Sequence, residues 1–159
     1  MRKLLFAAHS LELGGIEKAL VTLLNYLVIE SKYEITLVLE YKKGIFLNEL
    51  NEKIKIVEYK PSESKNLVKR KIRNLLKRLS FTLKYKNKFD FSASFATYSI
   101  PASFISRTAS KNSVLWGHAD YYTLFNYNRS EMVKFFQERK YNKFKNIIFV
   151  SKEGRDTFV

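Results

Sequence analysis

The stretch LLFAAHSLELGGIEKALVTLL, residues 4–24, predicts a strand, a glycine turn and a helix in close succession. The apolar run over residues 3–8 is typical of a buried strand. From Ile16 onward, apolar residues recur at helical spacing and form one stripe. Between the two elements stand Gly14 and Gly15, where either the backbone takes a positive φ or a ligand approaches too closely for a side chain.

Strand and helix signals keep alternating along the rest of the chain. Further strands are predicted at 33–41, 53–59, 89–96, 113–118 and 146–150, and further helices at 66–85, from Pro101 onward and at 130–145. Ser99, Ser130 and Ser151 stand where helix caps are expected. Because strands and helices alternate, the sheet should be parallel with helices on both faces. The predicted fold class is therefore α/β, with a Rossmann-like parallel sheet.

The composition limits the kind of protein. At 159 residues the chain has the length of one domain. It contains no cysteine, which excludes disulfides and thiolate sites and suits a reducing compartment. No apolar run approaches the ~18 residues of a membrane span, and the apolar part of residues 1–10 is too short for a signal peptide. We therefore expect a cytoplasmic protein.

Most of the net positive charge belongs to one segment, which contains a predicted helix. The net charge is +14, and the segment from Lys65 to Lys88 holds ten Lys or Arg residues and no acidic residue. Such a segment favours an anionic partner. The apolar residues between the cations repeat at helical spacing and are expected to pack in the core, as in any helix that connects two strands.

An anionic membrane surface is the partner that these cations favour, since Lys and Arg side chains extend toward anionic headgroups. We then expect the protein to lie peripherally at the inner face of the membrane. Nucleic acid could use the same charges, but no recognition motif accompanies them. The predicted membrane-binding cations are Lys69, Arg70, Arg73, Lys77 and Arg78.

Sheets of this kind bind their ligands at the carboxyl ends of the strands. Gly14 and Gly15 precede a helix N-terminus there, whose free N–H groups can hold an anion or a sugar hydroxyl. His118 ends another predicted strand and is expected in the same groove, where a neutral imidazole could bond a sugar hydroxyl or a phosphate oxygen. Asp120 either orients His118, accepts a hydrogen bond from a hydroxyl of the acceptor, or is an exposed loop residue. Two histidines far apart in the sequence do not make a metal site, so no metal is expected.

Three segments resemble, in their order and spacing, the first domain of family-4 retaining glycosyltransferases of the GT-B fold. They are the glycine turn with its helix, the strand SVLWGHAD at 113–120, and the strand–serine segment NIIFVSKEGRDTF at 146–158. By this resemblance His118 and Asp120 are catalytic candidates and the other matching positions are substrate-binding candidates. The matching positions are Gly14, Gly15, Glu17, Trp116, His118, Asp120 and Ser151.

The resemblance implies that residues 1–159 form the acceptor-binding half of a glycosyltransferase, one half of a GT-B architecture. The family's second domain, which binds the nucleotide-sugar donor, has no counterpart within the chain, so the chain alone is expected to hold no cofactor and to be inactive. Because the sequence stops as a helix begins, we expect it to be part of a longer protein. The complete enzyme would transfer a sugar to a lipid-linked or polysaccharide acceptor in cell-surface glycan synthesis, with retention and without a metal.

A second function stays open from the sequence. A basic Rossmann-like module could bind nucleic acid or a nucleotide without catalysis. The ordered glycine, Trp-Gly-His and Val-Ser segments favour the glycosyltransferase over this alternative.

Overall fold

A computed structural model describes residues 1–158, which form one parallel sheet with helices on both faces. The strands are β1 (Arg2–Ala8), β2 (Tyr33–Leu39), β3 (Lys55–Glu58), β4 (Phe91–Ser94), β5 (Ser113–Gly117) and β6 (Asn146–Phe149). They lie in the order β3-β2-β1-β4-β5-β6, and every neighbouring pair is parallel. This is the strand order of a doubly wound sheet, so the predicted α/β fold is confirmed.

The described residues include six α-helices. They are α1 (Gly15–Ile29), α2 (Leu67–Tyr85), α3 (Ile100–Ala109), α4 (Tyr121–Leu124), α5 (Arg129–Glu138) and α6 (Lys152–Asp156). Two predicted caps are confirmed, because the hydroxyls of Ser99 and Ser151 accept backbone N–H groups of α3 and α6 at 2.9 and 3.0 Å. Pro101 lies in the first turn of α3, where its missing N–H removes no helical hydrogen bond.

α1 covers one face of the sheet with its apolar stripe. Leu20, Val21 and Leu24 are at most 2% exposed, and they pack on Phe6 of β1 and Leu37 of β2. Each such side chain contributes about 1.5–3 kcal/mol when it is fully buried. The stripe predicted from residue 16 onward therefore provides core.

α2 lies on the opposite face, but its leucine-rich stripe does not face the sheet. Phe81 and Tyr85 are its buried residues, and they pack with strand residues such as Leu5 and Val38. The expectation that the stripe packs in the core is wrong, because these two aromatic side chains occupy the inward side, about half a helical turn away. The residues of the exposed stripe are Val68, Ile72, Leu75, Leu76, Leu79 and Leu83.

A third cluster packs beneath α4, α5 and β6. Its buried members are Leu115, Tyr121, Met132, Tyr141 and Phe144. The helix predicted at 130–145 is wrong in extent. Asn128, not Ser130, caps α5 by accepting a backbone N–H at 3.2 Å, and Lys140 after its end takes a left-handed conformation with φ 55. A short 3₁₀ helix, Tyr141–Lys143, follows and carries Tyr141 into the cluster.

No helix of residues 1–158 has the length and apolar character needed to cross a membrane.

Candidate functional site

Three loops leave the carboxyl edge of the sheet side by side. β1, β4 and β5 are consecutive in the sheet and parallel, so the residues after their last positions share one edge. His9 follows β1, Phe95 follows β4 and His118 follows β5. The N–H of Phe95 donates to the carbonyl of Ala7 at 2.8 Å, which holds the β4 loop against β1.

The two adjacent glycines lie at this edge, at the start of α1. Gly14 is the N-cap with φ 178, an extended conformation that any residue adopts. A Cβ at Gly14 would meet the Glu17 carboxylate at 2.1 Å, a flexible end that can move away, and a Cβ at Gly15 would find nothing within 4 Å. A positive φ therefore does not explain the pair. The Glu17 carboxylate fills the space at Gly14, and open space remains at Gly15, beside the first N–H groups of α1, where a ligand can approach.

Gly44 is the glycine that the backbone requires, and the sequence analysis missed it. Its φ is +122, and a Cβ there would lie 2.0 Å from the carbonyl carbon and oxygen of Leu11. Two backbone hydrogen bonds hold the segments together here: the Leu11 N–H donates to the carbonyl of Lys43 at 2.9 Å, and the Leu11 carbonyl accepts the N–H of Phe46 at 3.2 Å. Gly44 thus supports the loop that carries His9 to Gly14. Its signal in the sequence was a lone glycine shortly after a strand.

A buried carboxylate lies behind His9. The Glu40 side chain is 6% exposed, and its Oε2 lies 3.4 Å from Nδ1 of His9. Its other oxygen accepts the hydroxyl of Ser99. A carboxylate beside Nδ1 favours a proton on that nitrogen, and in that tautomer Nε2 is the acceptor. The arrangement can orient an imidazole for hydrogen bonding or proton transfer.

The position of Glu40 follows from strand register. Ala8 of β1 pairs with Leu39 of β2, so His9 and Glu40 are the next residues on adjacent strands. The sequence analysis did not align the two strand ends. An acidic residue directly after the buried run of β2 was the signal that could have found the pair.

A narrow crevice separates this cluster from α1. Its lining includes His9, Glu17, Phe95 and Tyr98, and its volume is about 10 Å³, room for about one water molecule. Burial raises the pKa of the Tyr98 phenol, and the nearby Glu17 carboxylate raises it further. A sugar-sized ligand therefore contacts the rim of the crevice rather than entering it.

His118 packs against Phe95, a residue that lines the crevice beside His9. The two ring centroids are 4.5 Å apart. Burial lowers the pKa of His118, while a hydrogen bond with the Phe95 backbone opposes part of the shift. Its Nε2 is buried and has no hydrogen-bond partner among residues 1–158. The structure thus places a neutral imidazole with an unused nitrogen at the expected edge.

Asp120 has a capping role. Its carboxylate accepts the backbone N–H groups of Tyr122 and Thr123 at the start of α4, at 3.0 and 3.4 Å. It also accepts the hydroxyls of Thr123 at 2.5 Å and Thr157 at 2.7 Å. These bonds lower the pKa of Asp120, with the Thr123 hydroxyl contributing most. Among the described residues, the hydrogen-bond partners of the Asp120 carboxylate do not include His118. The catalytic role expected for Asp120 stays a prediction.

Ser151 lies beside the same loop through the first turn of α6. Its hydroxyl accepts the N–H of Gly154. Gly154 is buried, and a Cβ there would come within 3.2 Å of the Ala119 carbonyl. Ser151 therefore holds α6 against the His118–Asp120 loop.

Trp116 lies on the sheet face that carries α1. Its ring packs on Phe95 at 4.9 Å between centroids. There it lines an open groove of about 1090 Å³ together with Phe91 and Leu23. The groove extends toward the amino ends of the strands, at Arg2 and Asn146. Trp116 therefore lines that groove and touches Phe95 of the crevice near His9, and its predicted substrate-binding role stays a prediction.

The predicted membrane-binding cations divide into two groups. Lys69, Arg70 and Arg73 are exposed on α2. Lys77 is half-buried and donates to the carbonyl of Lys60 at 2.5 Å, and the Arg78 guanidinium lies over a ring of α3 at 5.1 Å. The last two cations therefore also attach α2 to the protein body.

Within residues 1–158, no group of three or more His, Cys, Asp or Glu residues could hold a metal ion. No protein-family model matches the sequence, and no curated protein matches it.

The fold is similar to that of a solved structure over nearly the whole chain. That structure is HepE of Anabaena, described in complex with UDP and glucose, with a TM-score of 0.62 and 14% sequence identity. The match covers 99% of this chain and 40% of HepE, so the chain spans less than half the length of that protein. The similarity shows that residues 1–158 have the α/β fold of one part of HepE.

Proposed function

We propose that this chain is the acceptor-binding half of a GT-B glycosyltransferase. The observation that carries the proposal is the carboxyl edge of the sheet, which holds the start of α1 with open space at Gly15, the Glu40–His9 pair, and the buried, unpartnered Nε2 of His118 two strands away from His9. Carboxyl edges of doubly wound sheets are ligand-binding positions. The fold shared with HepE, a protein described with UDP and glucose, supports a sugar ligand over other small molecules.

The residues at this edge suit an uncharged, hydroxyl-rich ligand. Burial lowers the pKa of His118, which favours the neutral imidazole, and its Nε2 is buried, so it can bond a ligand hydroxyl once the side chain or its loop shifts to expose it. His9 is oriented by Glu40 and can accept a hydroxyl proton through Nε2. The N–H groups at the start of α1 favour the partial negative charge of a sugar or phosphate oxygen.

The donor half would be supplied by the rest of a longer protein. By the family-4 resemblance, that half binds a nucleotide-sugar, and transfer proceeds with retention and without a metal. The acceptor would be a lipid-linked sugar or a polysaccharide of the cell surface. Ser151 and Asp120 then hold the loops of the acceptor side in place, through their bonds to Gly154 and Thr157.

The test is a binding experiment on the chain itself. The isotope-labelled protein is titrated with UDP-glucose and with the oligosaccharides that it retains on a glycan array, and backbone amide shifts are followed. We expect an oligosaccharide to perturb amides at His9, Gly15 and His118. We expect no release of UDP from UDP-glucose, because the donor site belongs to the other half.

Variants separate binding from folding. Gly15→Val and His118→Ala should abolish the perturbation with little change in melting temperature. Ile29→Gln, an exposed substitution at the opposite end of α1, is the matched control and should bind normally. Rapid turnover of UDP-glucose by the chain alone, or perturbations confined to the amino edge of the sheet, would contradict the proposal.

A further inference from the structure

The outer face of α2 is an apolar surface that no described residue covers. The six residues of the exposed stripe are between 52% exposed, at Leu79, and 85% exposed, at Leu83. They lie opposite Phe81 and Tyr85, which anchor the helix to the protein. Contiguous apolar surface of this kind marks an interaction site in soluble proteins.

Cations border the stripe on both sides. At about 100° per residue, Lys69 and Arg73 fall along one flank, and Lys71 and Arg78 fall along the other. The segment from Lys65 to Lys88 contains no acidic residue. The surface therefore joins an apolar centre to two positive edges.

We propose that α2 is a docking surface for an anionic lipid bilayer. A helix that lies flat in the interface inserts its apolar face at the level of the acyl chains, while the Lys and Arg side chains extend to lipid phosphates. The leucine-rich stripe is then removed from water, and the Lys and Arg side chains are paired with phosphate groups. Nucleic acid would pair with the cations but would leave the leucines in water. A second copy of α2 would cover the leucines but would bring two sets of cations together.

The docked helix also sets the orientation of the sheet. α2 leaves the carboxyl end of β3 and leads to the amino end of β4, so it runs antiparallel to the strands. The Asn66 side chain caps its start by accepting the N–H of Lys69 at 3.0 Å, and the Asn74 side chain accepts the N–H of Ser62 at 2.7 Å. With α2 in the membrane plane, the strands lie along the same plane, and the carboxyl edge faces along the bilayer surface. Docking itself does not rest on the proposed function.

Vesicle sedimentation tests the docking. The probes are vesicles of phosphatidylglycerol and phosphatidylcholine in equal parts, and vesicles of phosphatidylcholine alone. We expect the protein to sediment with the anionic vesicles only, and to be released partly by added salt because headgroup charges are screened.

Two sets of variants test the two halves of the surface. Leu75→Gln with Leu79→Gln should lower the partition coefficient by about 30-fold or more, because two inserted apolar side chains are lost. Their matched control is Ile29→Gln with Ile45→Gln, exposed apolar residues outside α2, which should bind like the unchanged protein.

The charge variant combines Lys69→Gln, Lys71→Gln and Arg73→Gln and should weaken binding by about 100-fold. Its control has the same loss of charge elsewhere, in Lys53→Gln, Lys134→Gln and Lys152→Gln, and should weaken binding far less. Circular dichroism shows that each variant is folded.

Four outcomes would overturn the proposal. They are equal binding to the two kinds of vesicle, no binding to either, a leucine variant that binds like the unchanged protein, and tighter binding to duplex DNA than to anionic vesicles at the same salt concentration.

Discussion

α1 and α2 carry the same kind of apolar stripe and place it in opposite ways. The stripe of α1 faces the sheet, with Leu24 fully buried. The stripe of α2 faces outward, and Phe81 and Tyr85 on its other side make the contacts with the core. Helical periodicity therefore tells which residues share a face, and it does not tell which face meets the sheet.

The residues around the two stripes explain the difference. α1 has an acidic residue, Glu17, in its first turn and a mixed outer surface, so water can cover the side away from the sheet. α2 has cations around most of its circumference and a pair of large aromatic residues near its C-terminal end. Aromatic side chains bury more area than leucine, and turning them inward leaves the leucine stripe outside.

The largest expected effect is a stability difference between two similar substitutions. Leu24→Ala should lower the free energy of unfolding by about 2–5 kcal/mol, because it opens a cavity in the core. Leu79→Ala should change it by less than about 0.5 kcal/mol, because the side chain is exposed. Urea unfolding of both variants measures the difference. Equal losses at the two positions would remove the contrast between the helices.

Gly44 tests the support of the loop that leads into α1. Gly44→Ala should cost at least about 2 kcal/mol, because the backbone is left-handed and the new methyl group meets Leu11. Thermal unfolding measures the loss. Lys42→Ala, at an exposed neighbouring position, is the control. A Gly44→Ala variant as stable as the unchanged protein would show that the loop relaxes without cost.

Acid should lower the free energy of unfolding through His118, which packs on the α1 side of the sheet. Its pKa is lowered in the folded state by burial, so the unfolded chain takes up a proton that the folded chain resists. The stabilising contribution is complete above the ordinary histidine pKa of about 6.5 and is lost as the pH falls below it.

His118→Phe keeps a ring on Phe95 and removes this titration. The free energy of unfolding of the unchanged protein should fall more than that of the variant between pH of about 7 and 5. Parallel pH profiles of the two proteins would contradict the assignment.

The smallest effect is expected where α1 begins. Gly15→Ala should leave stability unchanged or raise it by less than about 1 kcal/mol, since the helix can accept the methyl group and nothing lies within 4 Å. Differential scanning calorimetry measures it. A loss of several degrees in melting temperature would show that Gly15 has a structural role in the unliganded protein.

The element order and the edge that holds the candidate residues could be predicted from the sequence. Alternating signals fix a parallel sheet, and parallel strands place the ends of β1 and β5 at the same edge. The length of α5 could not be predicted, because Lys140 adopts its left-handed conformation without a glycine or proline to signal it.

Side-chain partners were harder to predict than backbone position. Glu40 and Ser99 are far apart in the chain but hydrogen-bonded in the structure. Predicting that bond would require both the register of β1 with β2 and the residue at which α3 begins. The motif predicts a catalytic role for Asp120, and the sequence did not show that its carboxylate also accepts the backbone N–H groups of Tyr122 and Thr123. The orientation of α2 depends on whether its aromatic face or its leucine face packs on the sheet. Both faces are apolar in the sequence, so the choice is visible only in the folded structure.

The central claim, that the α1 stripe faces inward and the α2 stripe faces outward toward lipid, can be tested by thiol labelling, because the chain contains no cysteine. Leu24→Cys and Leu79→Cys are each reacted with a maleimide, with and without anionic vesicles. In solution, Leu79→Cys should react like a free thiol and Leu24→Cys about 100-fold more slowly, at a rate set by opening of the core. Vesicles should slow the reaction of Leu79→Cys and leave that of Leu24→Cys unchanged. Protection of Leu79→Cys without vesicles, or full reactivity with them, would contradict the account.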